Sequence, residues 1–189
     1  MISASQEQAN RILQELKDII KNNEWLVKKK DESKWAAEMI YYNEGYLLVK
    51  GIGSEILGQH VDRIVIDDIL RSDNRISDIE IEDYIDMVLS PMLLNRKGQM
   101  IIVGTPKSAT DIFTTIETRI REGSVWILRK YPAILDYEKK MLQCPDRFTW
   151  EDIIEKRLEM GPLKFAREYQ LEVFSRDTSL FPERIIKPG

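Results

Sequence analysis

The chain has 189 residues, 43% hydrophobic and 32% charged, with 28 basic and 32 acidic residues and a net charge of −4. This is too apolar for a disordered chain, large enough to bury a core without disulfides or a structural metal, and lacks the basic excess of a general nucleic-acid binder. The lone Cys144 and lone His60 exclude an internal disulfide, a multi-cysteine zinc site and a histidine-rich metal site. With no long apolar run and no basic-then-apolar leader, the expectation is a reducing, intracellular setting without a membrane span.

Ser5 followed by Gln8 has the spacing of a capping box, and Ala9, Ile12, Leu13, Leu16, Ile19 and Ile20 recur at helical spacing behind it, predicting one amphipathic helix. The basic run Lys28-Lys29-Lys30 abuts Asp31 and Glu32 and reads as a solvated turn. Two β-like runs follow, Trp35 to Tyr42 and Tyr46 to Val49, around an Asn43-Glu44-Gly45 turn whose glycine tolerates positive φ. Gly51, Gly53 and Gly58 then punctuate a loop up to Asp62.

Ile64-Val65-Ile66 predicts a strand buried on both faces, as in a parallel sheet, ending in Asp67-Asp68. Ligands of open α/β sheets bind at that carboxyl edge. Ser77-x-x-Glu80 caps a helix over 77–94 with Ile81, Tyr84, Ile85, Val88, Leu89 and Met92 on one face. A turn at 95–98 leads into Met100-Ile101-Ile102-Val103, a second strand of buried type ending at Gly104-Thr105-Pro106. One helix between two such strands predicts a parallel crossover with both strand ends at one edge. Ser108-x-x-Asp111 is expected to cap a third helix, Ser124 to Leu128 to form a third strand, Thr149-x-x-Asp152 to cap a fourth helix, and Gly161-Pro162 to separate it from a fifth. The fold class is therefore α/β, a three-layer domain with a mainly parallel sheet.

A buried strand ending in two acids suits a nucleotide-hydrolysing site. The first carboxylate can hold Mg²⁺, a small hard cation that keeps several waters, and the second can orient or deprotonate the water that attacks a terminal phosphate. Gly104 lets backbone pass close to a phosphate, and the Thr105 hydroxyl can sense it. Asp at a strand end also serves as a turn or cap residue, and Gly-Thr-Pro as a plain strand-to-loop turn. His60 reads as a surface histidine, Cys144 as a packing residue, Arg71 and Arg75 as solvated loop arginines, and Trp25, Trp35, Trp126 and Trp150 as core or half-buried residues.

Several blocks resemble the ATPase domain of the large terminase subunit, the DNA-packaging motor of tailed phages. Ser3-Ala4-Ser5-Gln6-Glu7-Gln8-Ala9 resembles the segment after that domain's second strand, and Leu57 to Asp68 its Walker B region in the branch with Asp-Asp. Ile102-Val103-Gly104-Thr105-Pro106 with Asp111 resembles the coupling motif and following helix. Cys144-Pro145-Asp146-Arg147-Phe148, Gly161-Pro162 and Phe165 to Gln170 resemble the end of the domain. The resemblance implies a P-loop NTPase-like fold of the ASCE type over residues 1–175, truncated at its N-terminus, with 176–189 a linker toward a nuclease domain absent from this sequence. It implies that ATP and Mg²⁺ serve as cofactors, with Asp67 the metal-associated acid, Asp68 the catalytic carboxylate, and Gly104 and Thr105 coupling phosphate state to movement. Asp111 and the Phe165–Gln170 helix would be structural. The implied partners are double-stranded DNA, the portal protein, the small terminase subunit and further copies in a ring, in the host cytoplasm and transiently at the procapsid portal.

One departure stands out. No Gly-x-x-x-x-Gly-Lys-[Ser/Thr] loop occurs in these residues, and the only Lys-Ser, Lys107-Ser108, follows the wrong strand. In the family that loop lies just upstream of where this sequence begins. The chain alone is therefore expected to be inactive: a portion of a motor, or a prophage remnant or assembly module that needs a partner chain to complete the nucleotide site. A metal nuclease built on Asp67 and Asp68 is disfavoured, because no further acids are placed to complete a two-metal site.

Overall fold

The computed structural model describes residues 1–27, 35–56, 58–70, 76–94 and 98–173. The basic run Lys28–Lys30, Leu57, Arg71, Arg75, most of the 95–98 turn and the expected linker 176–189 lie outside the described residues. The chain divides into two compact units, Met1–Gly104 and Thr105–Gly189.

The first unit is built on a four-stranded, wholly parallel sheet. Its strands are β1 (Ile2–Ser3), β4 (Lys50–Gly51), β5 (Arg63–Asp67) and β6 (Gln99–Val103), in the order β4-β1-β5-β6. β5 and β6 run parallel, with Ile64 opposite Met100, Ile66 opposite Ile102 and Asp67 opposite Val103, as the crossover pattern predicts. Strand alternation sends Ile2, Ile64 and Ile66 to one face, where all three are buried. Each such aliphatic side chain contributes about 1.5–3 kcal/mol by leaving water.

Burial on both faces holds only in part. Val65 is half-buried, and in β6, at the edge of the sheet, Ile101 is 36% and Val103 52% exposed. An edge strand has a neighbour on one side only, so a run of apolar residues does not by itself secure cover for its second face.

Helix α1 (Gln6–Asn22) starts where Ser5 accepts a hydrogen bond from the Gln8 amide, and buries Ala9, Leu13 and Ile20 against Ile40 and Val49. Its first turn passes so close to β4 that a Cβ on Gly51 would sit 2.6 Å from the Gln6 nitrogen. Only glycine fits there. Gln6 fixes the crossing, its side-chain oxygen accepting from the Gly51 amide at 3.0 Å.

β2 (Met39–Tyr42) and β3 (Gly45–Leu48) form an antiparallel hairpin, with Tyr41 and Tyr46 opposite each other. The strand is shorter than the Trp35–Tyr42 run: Trp35 instead donates its indole N–H to the Tyr41 carbonyl. The positive φ falls on Asn43, at 56°, because Gly45 is already paired with Tyr42.

The predicted 77–94 helix is continuous in path but not in hydrogen bonding. Ser77 and Glu80 make a full capping box on α2 (Asp78–Asp83), which continues as a π-helical turn over Tyr84–Leu89 and a 3₁₀ turn over Ser90–Met92. Pro91 accounts for the change, since it has no N–H to give and its ring crowds the carbonyl four residues back. The Ser90 amide reaches back to the Ile85 carbonyl instead.

The second unit holds α3 (Ile112–Arg121), β7 (Ile134–Asp136), β8 (Met141–Leu142), α4 (Trp150–Met160) and α5 (Pro162–Gln170). Ile134, Leu142, Ile153 and Phe165 form its core, and the Phe165 and Tyr169 rings stack at 5.0 Å. The Gln170 amide clamps Ile134, accepting from its N–H at 2.9 Å and donating to its carbonyl at 3.1 Å.

Four expectations change here. Residues 124–128 form no strand: Val125 is 97% and Ile127 80% exposed, while Trp126 and Leu128 are half-buried, so the alternation is present without a partner strand. Asp111, not Ser108, caps α3. Cys144 is exposed, its carbonyl accepting from the Arg147 and Phe148 amides in a turn, and Trp25 is exposed as well. No helix among the described residues is long and apolar enough to cross a membrane.

Candidate functional site

Parallel strands carry every C-terminal end to one edge of the sheet. There the structure sets Gly51, Ser3, Asp67 and Val103 in one row across the four strands, each opposite its neighbour in register. Gly104 follows Val103 directly, so Asp67, Asp68 and Gly104 come together at this edge. Thr105, the next residue, is half-buried and opens the second unit. β1 ends at Ser3 and α1 begins at Gln6, which brings the positive end of that helix's dipole to the same edge.

Asp67 is half-buried, and burial, followed by the neighbouring charge of Asp68, raises its pKa above the usual carboxylate value of 3.8. Both causes penalise the charged form, and a bound cation would relieve both. Asp68 is exposed and sits at φ 46°, a left-handed conformation that Asp tolerates better than most side chains. Its amide donates to the Val103 carbonyl at 2.9 Å. This bend ends the strand just after that last cross-strand hydrogen bond.

Two adjacent carboxylates are hard oxygen donors of the kind Mg²⁺ prefers, and their small number suits an ion that keeps most of its waters. Among the described residues no group of three or more His, Cys, Asp or Glu side chains is placed to form an all-protein metal cage. The residues thus fit a hydrated magnesium ion. No Gly-Lys-[Ser/Thr] loop occurs in the sequence to set phosphate-binding amides and a lysine beside them. Lys107, the lysine after Gly104-Thr105-Pro106, is committed elsewhere: its Nζ donates to Glu168 Oε2 at 2.6 Å.

Asp111 is fully buried, and its carboxylate takes four backbone N–H groups. Oδ2 accepts from Lys107 and Ser108, and Oδ1 from Phe113 and Thr114. With its oxygens committed to the backbone, it ties the loop after Thr105 to the start of α3. His60 is exposed, and its backbone carbonyl faces the Tyr46 hydroxyl at 3.3 Å.

Sequence reasoning missed two features. Ser3 read only as a residue preceding a helix cap, yet it is wholly buried in the same row as Asp67. The Lys107–Glu168 pair joins residues too far apart in sequence for any local pattern to show. A scan against protein-family models finds no match, and a search of the curated proteins finds no relative.

Proposed function

We propose that this chain is a portion of the ATPase motor of a viral large terminase, with Asp67 and Asp68 as the magnesium-associated and water-activating carboxylates. The resemblance of its sequence blocks motivates the reading. The observation that supports it is the placement of Asp67 and Asp68 at the carboxyl edge of a parallel sheet, beside the strand that ends at Gly104. In this reading Asp67 holds the hydrated ion and Asp68 orients a water and accepts its proton. Magnesium, when bound, neutralises phosphate charge and fixes its position. Gly104 and Thr105 would pass the state of the site on to parts that move double-stranded DNA. Portal protein, small terminase subunit, a ring of further copies, and the P-loop NTPase-like fold over 1–175 belong to the same proposal, as does work in the host cytoplasm and at the procapsid portal.

ATP enters only with a phosphate-binding loop supplied from outside these residues. The test is therefore made on the chain joined to, or mixed with, a segment that carries such a loop. DNA-stimulated ATP hydrolysis is expected, and Asp68→Asn should lower kcat by about 10²–10⁴-fold with nucleotide affinity little changed, as for loss of a general base. Near-normal turnover by Asp68→Asn rejects the assignment. The absence of the loop favours a second reading, a non-catalytic assembly module. It predicts a stable complex with a partner chain and no turnover in any combination.

A further inference from the structure

We propose that the Ser3 hydroxyl is a positioning group for a divalent cation, acting through the Asp67 carboxylate; this rests on the reading of Asp67 as a metal ligand. Ser3 is completely buried, and among the described residues its Oγ is the one buried side-chain polar atom without a hydrogen-bond partner. Buried hydroxyls are nearly always paired, so an orphan one calls for a partner that comes into place when a ligand binds.

The register identifies that partner. Ser3 and Asp67 lie opposite each other on neighbouring parallel strands, so their side chains leave the sheet on the same face, with the strands roughly 4.8 Å apart. The other two residues of the row, Gly51 and Val103, have no polar side-chain atom. Two polar side chains at the start of α1 are already engaged. Ser5 Oγ accepts from the Gln8 amide, and the Gln6 amide group bridges the Gly51 N–H and Asn10. Asp67 is the remaining acceptor in the row.

The chemistry is complementary. A carboxylate holding a cation accepts hydrogen bonds only and keeps lone pairs to spare, while a serine hydroxyl donates and reorients about a single bond. Ligating carboxylates are characteristically held by such an outer hydrogen bond, and its removal typically weakens metal binding by about 10–100-fold. Ion binding fixes the Asp67 carboxylate, and the Ser3 hydroxyl turns to donate to it.

The test uses the whole chain without nucleotide and Mn²⁺ as the probe, with free ion followed by electron paramagnetic resonance and stability by thermal melting without metal. Ser3→Ala removes a single oxygen and creates no clash. It should weaken Mn²⁺ binding about 10-fold or more while leaving the metal-free melting temperature unchanged or higher. Ser3→Thr keeps the hydroxyl and should restore much of the affinity, and Asp67→Asn should abolish binding. If Ser3→Ala binds Mn²⁺ like the wild type while Asp67→Asn does not bind, the Ser3 proposal falls and the reading of Asp67 stands. A loss of affinity in Ser3→Ala accompanied by a lower metal-free melting temperature also overturns it, as a packing effect. If the wild-type chain binds no Mn²⁺, or Asp67→Asn binds it equally well, the reading of Asp67 fails and Ser3 with it.

Discussion

The Asp68 amide donates to the Val103 carbonyl at 2.9 Å while Asp68 itself holds φ 46°, so the last rung of the β5–β6 ladder is made by a residue in the left-handed region. A non-glycine residue there costs roughly 1–2 kcal/mol, less for Asp and Asn. Asp68→Gly should therefore keep or raise stability by up to about 1 kcal/mol. Asp68→Asn should be neutral, and Asp68→Val should lose about 1–2 kcal/mol. Urea denaturation of the three variants checks this, and coincident midpoints would contradict it. The neutrality expected of Asp68→Asn also makes it a clean probe of chemistry.

Asp111 carries a different burden. Replacing it by Ala leaves the Lys107, Ser108, Phe113 and Thr114 amides to find new partners at a fully buried site. Loss of a cap and of buried hydrogen bonds together should cost about 2–4 kcal/mol. Asp111→Asn keeps one acceptor oxygen and should recover part of that. A loss under about 0.5 kcal/mol for the Ala variant, measured by denaturant unfolding, would show that the carboxylate is not what holds the loop.

Two carboxylates should respond to pH with opposite signs. At Glu168, burial works to raise the pKa, but the hydrogen bond and charge of Lys107, with help from Arg167, outweigh it and leave it below 4.5. A depressed pKa means stability present above pH 4.5 and lost as pH falls through the folded value. Glu168→Gln should thus cost at most about 1 kcal/mol at neutral pH and nothing in strong acid. Asp67 is raised above 3.8, so the folded state favours its protonated form. That contribution is complete below pH 3.8 and is lost as pH rises through the folded value. Asp67→Asn should accordingly be slightly more stable than the wild type at neutral pH and lose that advantage in acid. Melting curves from pH 3 to 7 would refute the scheme if both variants shifted in the same direction.

Nucleotide binding supplies a fourth expectation. The sequence contains no Gly-x-x-x-x-Gly-Lys-[Ser/Thr] loop, whose amides and lysine carry most phosphate contacts. Calorimetry with Mg²⁺-ATP should show affinity no tighter than about millimolar, a few kcal/mol of binding free energy. Micromolar binding would mean that a phosphate site exists elsewhere in these residues.

What the sequence made legible tracks how local the determinants are. Ser5, Ser77 and Thr149 each announced a helix start because a cap needs only its own next three residues. The Ile64-Val65-Ile66 and Met100 to Val103 runs announced parallel strands, and both pair as expected. Ser124 to Leu128 carries the same kind of alternation without forming a strand, because a strand also needs a neighbour, which periodicity does not encode. The π-helical turn at Tyr84–Leu89 keeps its apolar face buried through Ile85 and Leu89, so the change of hydrogen bonding left no trace in the pattern. At the sheet edge the acids were legible from their position after a buried strand. Ser3 was not, because its place beside Asp67 depends on the register of two strands distant in sequence.

β1 contributes only Ile2 and Ser3, yet it alone joins β4 to β5 in the four-stranded sheet. Its partners are residues 50–51 on one side and 66–67 on the other, so neither half of the sheet is held by local contacts. Both pairings require closing long loops before any ladder bond forms, an entropic cost met ahead of the reward. β1 can pair with β4 once residues 50–51 are in place, but its other side is covered only when β5, ending at Asp67, has joined. α1 and the β2–β3 hairpin, each local, can form meanwhile. Assembly of the sheet edge that carries the acids thus follows the local elements, because each of its pairings joins residues distant in sequence.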